Sequence, residues 1–194
     1  YELADRDWSS DVCSSDLPVG KWNTSNVSNM FGMFLGAKKF NQSVKEWDTR
    51  NVTTMKWMFS DAIAFNQSLT DWNMSKVENI RGMFEGASAF NQPLNDWNVG
   101  AVTDMRAVFK YAALFNQPLY KWNTANVTDM REMFREAAKF DQTLLPWPMN
   151  TNVKLDSIFQ DSGMTKPHVC ELLQNPVWRA NFALLASGFD ADEC

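Results

Sequence analysis

The sequence is poor in the residue types on which most metal sites and nucleic-acid interfaces depend. It has three cysteines and one histidine among 194 residues, too few for a disulfide framework or a Cys/His metal centre. Its formal net charge is −5, so no basic stripe is available to neutralise the phosphates of nucleic acid or of an anionic membrane. No apolar run approaches the roughly 20 residues that span a bilayer. We therefore predict neither nucleic-acid binding nor membrane insertion by this segment.

Catalytic motifs are also missing. The single histidine, His168, has no serine or cysteine partner in a nucleophilic arrangement, and there is no glycine-rich phosphate loop. Asp71 and Asp96, each followed two residues later by asparagine, offer oxygen ligands. They lack, however, the dense acidic and glycine-containing run of a calcium loop. We predict a chain that is not an enzyme and that uses no cofactor or metal, with His168 in a surface or capping role.

Aromatic residues, by contrast, are abundant and periodic. The chain contains nine Trp and fourteen Phe, and most of them recur every 25 residues. One tryptophan series and two phenylalanine series keep this spacing: Trp22, Trp47, Trp72, Trp97, Trp122 and Trp147; Phe34, Phe59, Phe84, Phe109, Phe134 and Phe159; Phe40, Phe65, Phe90, Phe115 and Phe140. The unit reads W-N/D-x-x-x-V-x-x-M-x-x-M-F-x-x-A-x-x-F-N-Q-x-L-x-x. We number the units by their tryptophans, unit 1 beginning at Trp22 and unit 6 at Trp147.

Such a short unit cannot bury a core alone, so neighbouring units must stack on one another. The spacing therefore predicts a repeat solenoid of five to six coils over residues 18–159, with the rings and the methionines Met55, Met58, Met130 and Met133 inside. A row of tryptophans that stacks on sugars is the alternative. Their recurrence in every unit favours the core.

Each coil is predicted to contain one short helix and one short strand, which makes the fold class α/β. In unit 4 the apolar residues from Val102 to Ala112 recur at helical spacing. Thr103 is placed to cap this helix, and three residues occupy the same position in other units: Ser28, Thr53 and Thr128. The remaining half, which carries Pro93 and Pro118, has no helical rhythm and predicts a turn plus a strand.

The N-terminal residues do not follow the repeat. The stretch Asp7–Leu17 resembles the translation of a common short-read sequencing adapter. We therefore expect residues 1–17 to be a disordered artefact of gene assembly, and the native sequence to continue further upstream.

The C-terminal residues 160–194 are predicted to form a helical cap over the last coil. One helix is expected from Thr165 through Leu173, and a second from Asn175 to near Ser187. Cys170 and Cys194 lie in this region, and the sequence leaves open whether they pair or remain free thiols.

Several phrases of the unit resemble the repeat of the BspA-like leucine-rich-repeat surface proteins. They are Asn51-Val52-Thr53-Thr54-Met55, Met83-Phe84, Phe90-Asn91-Gln92 and the segment from Leu94 to Trp97. The resemblance implies a leucine-rich-repeat-like solenoid of strands and helices, exposed on or secreted from cells, with roles in adhesion or recognition and no catalytic residues. This sequence shows no export signal or wall anchor, so that location comes from the resemblance alone.

The pair of residues before each tryptophan varies most between units, which is typical of positions that face solvent. If the strand lies there, these pairs line one continuous face, which we call the candidate surface. It consists of Lys45, Glu46, Thr70, Asp71, Asn95, Asp96, Tyr120 and Lys121. The position two after each tryptophan resembles the start of an ice-binding threonine ladder, which Met74 and Val99 interrupt; its threonines are Thr24, Thr49 and Thr124.

Three functions follow from these observations. The first is a non-enzymatic cell-surface or secreted module for adhesion or ligand recognition, with a protein or glycan as partner. The second is an intracellular protein-interaction scaffold built on the same repeats. The third and least favoured is a polysaccharide-acting enzyme, for which Asp71 and Asp96 would supply carboxylates from adjacent units.

Overall fold

The computed structural model describes residues 18–181 and Cys194. In this part of the chain the helical elements are a short 3₁₀ turn, Val19–Lys21, and two α-helices, α1 (Lys166–Leu172) and α2 (Pro176–Ala180). No longer strand is formed by the described residues; isolated parallel β-bridges join consecutive units instead. The bridged pairs are Asn29 with Thr54, Thr54 with Asn79, Asn79 with Asp104, Asp104 with Asp129, and Asp129 with Lys154.

Consecutive units lie against each other in a fixed register. Every second backbone N–H in the first half of a unit donates to a carbonyl of the next unit. Between units 1 and 2 the donors are Met30, Gly32, Phe34 and Gly36, and the acceptors Thr54, Lys56, Met58 and Ser60, at 2.7–3.0 Å. Because buried backbone groups need partners, these contacts hold the units together along the whole repeat.

The predicted helix in each unit is wrong. The apolar residues do face the core at the expected spacing, but successive β-turns, not a helix, place them there. Met58 N–H donates to Met55 O and Ala62 N–H to Phe59 O, both at 3.1 Å. An α-helix needs each N–H to reach the carbonyl four residues earlier. Here every second N–H points to the neighbouring unit, so that ladder cannot form.

Left-handed backbone conformations interrupt each unit twice. In every unit two residues, four positions apart, have φ between +55° and +71°. They are Gly32 and Gly36, Trp57 and Asp61, Gly82 and Gly86, Ala107 and Tyr111, Glu132 and Glu136, and Ser157 and Asp161. Single left-handed residues end a right-handed helix. The glycine pairs of units 1 and 3 were the sequence signal for this path, because glycine adopts positive φ without steric cost.

The predicted strand and helix caps are also wrong. The segment before each tryptophan is a β-turn, in which Trp47 N–H donates to Val44 O at 3.1 Å. The threonines expected to cap helices bond to the preceding unit instead. The Thr53 hydroxyl donates to Ser28 O and the Thr103 hydroxyl to Glu78 O, each at 3.2 Å.

The predicted burial of the aromatic rings is confirmed for every ring of the three series except Trp22 in the first unit, which is half-buried. Trp122 and Trp147 are each 1% exposed, and the rings of equivalent phenylalanines stack at 5.4–6.1 Å between units. Each indole N–H from Trp47 to Trp147 donates to the backbone carbonyl 28 residues earlier, in the turn that precedes the previous tryptophan position, at 2.8–3.1 Å. The tryptophans therefore fill the interior and also satisfy buried backbone carbonyls, which excludes the sugar-stacking row.

The threonine series does not form a solvent-facing ladder. Thr24, Thr49 and Thr124 are buried, at 3%, 2% and 0% exposure. Their hydroxyls donate to backbone carbonyls of the next unit at 2.8–3.2 Å. Met74 and Val99 occupy the same buried position in units 3 and 4, so the interruptions are apolar replacements within the interior.

Asparagine side chains form a second ladder between units. The Asn91 Oδ1 atom accepts from Asn116 N–H at 3.0 Å and from the Gln117 side chain at 3.1 Å. The same contacts begin at Asn41, Asn66 and Asn116. In unit 5 the ladder residue is Asp141, whose Oδ1 accepts from Thr165 N–H at 2.8 Å and lies 2.6 Å from His168 Nδ1. An aspartate thus replaces asparagine where the repeats meet α1.

Helices α1 and α2 cover the last unit. Trp178 of α2 is fully buried and stacks on Phe159, the last ring of its series, at 5.9 Å. A disulfide joins Cys170 in α1 to Cys194. Neither helix is long and apolar enough to cross a bilayer, among the residues described. Residues 1–17, on which the predicted artefact falls, and the predicted helix end near Ser187 lie outside the described residues.

The contact between Asp141 and α1 predicts a pH-dependent stability. Burial acts to raise the pKa of Asp141, but the hydrogen bonds from His168 and Thr165 outweigh it and hold the pKa below its ordinary value of 3.8. A lowered folded-state pKa stabilises the fold at pH above the unfolded value, and this contribution disappears as the pH falls through the folded-state pKa.

We expect Asp141→Asn to lower the free energy of unfolding by about 1 kcal/mol at pH 7. Urea denaturation of both proteins between pH 7 and pH 2 measures this. The gap between wild type and variant should narrow once the pH falls below the ordinary pKa of aspartate and close as it falls through the lower folded-state pKa of Asp141, where the folded wild-type carboxyl is protonated too. A gap of constant size across this range would show that the charge of Asp141 is unimportant.

Candidate functional site

The candidate surface lies on a row of β-turns. Each of its pairs occupies the two central positions of a turn that ends at a buried tryptophan, as Lys45 and Glu46 do between Val44 and Trp47. Seven of the eight side chains are exposed, and Asn95 is half-buried. These positions vary between units because the turn is fixed by its flanking apolar residues, which leaves the central side chains free to face solvent.

Ion pairs connect neighbouring turns of the candidate surface. Lys45 Nζ lies 3.3 Å from Asp71 Oδ2, and Lys121 Nζ lies 2.7 Å from Asp96 Oδ1. Asn95 Oδ1 also accepts from the backbone N–H of Lys121 at 3.0 Å. The hydrogen bond with Asp96 raises the pKa of Lys121. The structure therefore brings the predicted residues together across units.

A shallow depression of about 470 Å³ lies at the end of this row. Its lining includes three residues of the candidate surface, Lys45, Glu46 and Asp71, together with Trp47, Asp48, Thr49, Arg50 and Asn73. Asp48 and Arg50 were missed by the sequence analysis, which considered Asn73 only as an oxygen ligand beside Asp71. The signal for Asp48 was the Asn or Asp that follows each tryptophan, which lies in space next to the variable pair.

The depression presents charges of both signs to a ligand. Arg50 Nε lies 2.8 Å from Asp48 Oδ1, and this side-chain hydrogen bond, with that of the Arg50 backbone, lowers the pKa of Asp48. Lys45 and Asp71 form a second pair across the opening. Such a surface can exchange its internal ion pairs for hydrogen bonds to a polar partner, because exposed pairs are held weakly.

The two aspartates considered as catalytic carboxylates or calcium ligands are already engaged with lysines. Asp71 is 59% and Asp96 82% exposed, so neither carboxylate has the enclosed surroundings of a typical general acid. The amide oxygen of Asn73 accepts from Ser75 N–H at 2.9 Å and from the Ser75 hydroxyl at 2.6 Å. Across residues 18–181 and Cys194, no three His, Cys, Asp or Glu side chains converge in a group that could hold a metal ion.

Exposed apolar side chains form a second feature that the sequence analysis did not single out. Phe31 is 49% exposed, and Trp57 in the next unit is half-buried beside it. Both lie outside the 25-residue aromatic series, which was the available signal. Other large exposed apolar residues are Leu35, Ile63, Tyr111, Leu114 and Tyr120, the last of which belongs to the candidate surface.

Comparison with known proteins places the chain in a family without an assigned activity. A family model described as "Mycoplasma protein of unknown function, DUF285" matches residues 8–113 and, overlapping these, residues 68–169. No curated protein and no solved structure matches the chain. The matched residues cover most of the chain, including all the aromatic series, and the chain therefore belongs to the DUF285 family of Mycoplasma proteins of unknown function.

Proposed function

We propose that this chain is a non-enzymatic module for adhesion or ligand recognition at the cell surface or outside the cell. The observation that carries the proposal is the candidate surface, where variable, exposed pairs from four units lie side by side on turns held by a buried frame. Scaffolds that position variable loop residues on a rigid core are commonly used for binding. The partner is a protein or a glycan.

The electrostatics of the candidate surface support a polar partner. Its two described ion pairs, Lys45 with Asp71 and Lys121 with Asp96, both bridge different units. A ligand that spans several units would meet charges of both signs along the row. Complementary charges of this kind contribute to specificity and to the rate of association.

The disulfide supports the extracellular part of the proposal. Cys170 and Cys194 are joined across 24 residues of sequence. Disulfides persist mainly in oxidising compartments and are rare in the reducing cytosol. An intracellular scaffold would have to maintain this bond against the cellular thiol pool.

We also propose that the array is a solenoid of the leucine-rich-repeat kind, related to the BspA-like surface proteins that its phrases resemble. The parallel bridges between units and the continuous aromatic series support this classification. Its 25-residue period falls within the 20–29 residues of leucine-rich repeats.

Binding of the purified chain to an array of glycans and a panel of extracellular proteins tests the function. A variant with Lys45→Ala, Asp71→Ala, Asp96→Ala and Lys121→Ala should lose at least about tenfold in affinity for a ligand of the candidate surface, since both inter-unit ion pairs are removed. The formal net charge stays the same because two bases and two acids are replaced.

A matched control carries the same number of alanines at exposed charged positions away from the row. These positions are Lys38, Glu78, Lys139 and Asp156. The control should bind like wild type. Equal loss of binding in both variants, or turnover of a glycan that Asp71→Ala abolishes, would contradict the proposal.

A further inference from the structure

Trp57 occupies a backbone position that does not suit a large side chain. Its φ is +56°, and the equivalent residues of the neighbouring units are Gly32 and Gly82. In units 4 to 6 this position holds Ala107, Glu132 and Ser157. A non-glycine residue in the left-handed region is held there at a cost. A half-buried tryptophan at this point of the repeat is therefore unnecessary for the stacking of units.

The next unit makes room for the Trp57 ring. A Cβ atom on Gly82 would lie 2.2 Å from Cδ1 and 2.6 Å from Nε1 of Trp57. The indole thus lies across a position without a side chain. Phe31 of the preceding unit meets it edge-on, with ring centroids 5.4 Å apart and an interplanar angle of 66°. Three units together hold this indole in one place.

Two cations complete the cluster, which we call the aromatic corner: Phe31, Lys56, Trp57 and Arg81. Lys56 Nζ lies 4.3 Å from the centroid of Trp57 and 5.7 Å from that of Phe31, and Arg81 Cζ lies 5.7 Å from the Trp57 centroid. Both cations therefore lie over the aromatic rings of this cluster.

In units 4 and 5 the residues equivalent to Lys56 and Arg81 are arginines that form ion pairs. Arg106 lies 3.0 Å from Glu132, and Arg131 lies 2.5 Å from Asp129. In units 2 and 3 the bridge residues beside Lys56 and Arg81 are the uncharged Thr54 and Asn79. The Glu85 side chain also lies near the indole, since its Oε2 atom would be 3.1 Å from a Cβ atom on Gly82, and its charge interacts with both Lys110 and Arg81. Lys56 and Arg81 thus place two positive charges against this one carboxylate at the aromatic corner, on a chain of net charge −5.

We propose that the aromatic corner binds a carboxylated sugar residue, which stacks on the exposed face of Phe31 and places its carboxylate between Lys56 and Arg81. Sugar C–H groups pack on aromatic faces, and guanidinium and ammonium groups form strong charge-assisted hydrogen bonds with carboxylates. The inference rests on the proposed recognition function and assigns it a ligand class and a second site, apart from the candidate surface.

The backbone around the aromatic corner favours a sugar over an acidic peptide. An extended peptide commonly binds by adding a strand to unpaired backbone groups. Here Gly32 N–H donates to Lys56 O and Trp57 N–H to Arg81 O, both at 2.9 Å. These N–H groups are occupied by contacts between units, so they are not available to an added strand.

Isothermal titration calorimetry tests the assignment with two carboxylated probes, an oligogalacturonide and sialyllactose. Their neutral counterparts are the oligogalacturonide methyl ester and lactose, and a poly-glutamate peptide represents acidic peptides. We expect wild type to bind at least one carboxylated probe and to bind its neutral counterpart and the peptide at least about tenfold more weakly.

The variants Trp57→Gly and Lys56→Gln should each lose at least about tenfold in affinity for that probe. Ala107→Gly, which introduces glycine at the same position of unit 4, is the matched control and should bind normally. The melting temperature of Trp57→Gly should stay within about 3 °C of wild type, because neighbouring units already carry glycine there.

The remaining outcomes separate this inference from the proposed function. Any of four results would overturn the carboxylated-sugar site. Neither carboxylated probe binds, or a neutral counterpart or the peptide binds equally well. Alternatively, Trp57→Gly binds normally, or its melting temperature falls by more than about 3 °C. If a ligand loses affinity only for the four-alanine variant of the candidate surface, the proposed function is supported and the carboxylated-sugar site is not. No binding in any assay would remove both.

Discussion

Trp122→Phe is expected to lower the free energy of unfolding by about 3 kcal/mol, and Trp178→Phe by about 1 kcal/mol or less. Both indoles are almost fully buried and both stack on another aromatic ring. The loss of ring volume is therefore similar at the two sites. The expected difference comes from the indole N–H.

The two N–H groups have opposite surroundings. Trp122 Nε1 donates to Leu94 O at 2.9 Å, so phenylalanine would remove one of the two hydrogen bonds that this buried carbonyl accepts, the other coming from Trp97 N–H at 3.1 Å. Trp178 Nε1 is buried and has no hydrogen-bond partner among residues 18–181 and Cys194, so phenylalanine removes a donor that is unsatisfied there. An unsatisfied buried polar group costs about 1–3 kcal/mol, which sets the size of the difference.

Urea denaturation followed by circular dichroism measures both variants against wild type. A unit in the middle of a stacked array is supported from both sides, so the loss at Trp122 should also broaden or divide the transition. Equal destabilisation by the two substitutions would mean that the contact between indole and carbonyl contributes nothing to the stability of the stack.

Gly82→Ala is expected to destabilise by about 3 kcal/mol, and Gly32→Ala by about 1 kcal/mol. The two glycines are equivalent, with φ of +59° and +57°, and alanine carries the same left-handed penalty at both. A Cβ at Gly32 would have ordinary contacts, the nearest being Leu35 Cβ at 3.7 Å. At Gly82 it would lie 2.2 Å from the Trp57 ring.

A double-mutant cycle isolates that clash. In a Trp57→Gly background the cost of Gly82→Ala should fall to about that of Gly32→Ala, because residues in direct contact are not additive. Thermal and urea denaturation of the four proteins provide the coupling energy. An unchanged cost in the Trp57→Gly background would show that the indole does not lie over Gly82.

The 25-residue period and the burial of the repeated rings followed from the sequence alone. Trp47, Phe59 and Phe65 recur in every neighbouring unit, and no single unit can bury them. The variable pair before each tryptophan was also found this way, since free variation marks exposed positions. Residue type and spacing suffice for such conclusions because burial depends on side-chain chemistry.

The path of the backbone was decided only by the tertiary structure. Spacing of three and four residues fits an α-helix, but it also fits successive turns such as Met55 to Met58 and Phe59 to Ala62. The two backbone paths differ in the carbonyl to which each N–H donates. For Met30 N–H this acceptor is Thr54 O in the next unit. A local pattern contains no information about a partner one unit away.

The contacts of the candidate sites depended on the stack in the same way. Lys45 meets Asp71, Phe31 meets Trp57, and Asp141 meets His168 because residues about 25 positions apart become neighbours when units stack. The sequence determined the repeat and its interior. The pairing of side chains across units, the left-handed positions and the closure by α1 and α2 required the three-dimensional register, because they arise from hydrogen bonds and packing between separate segments.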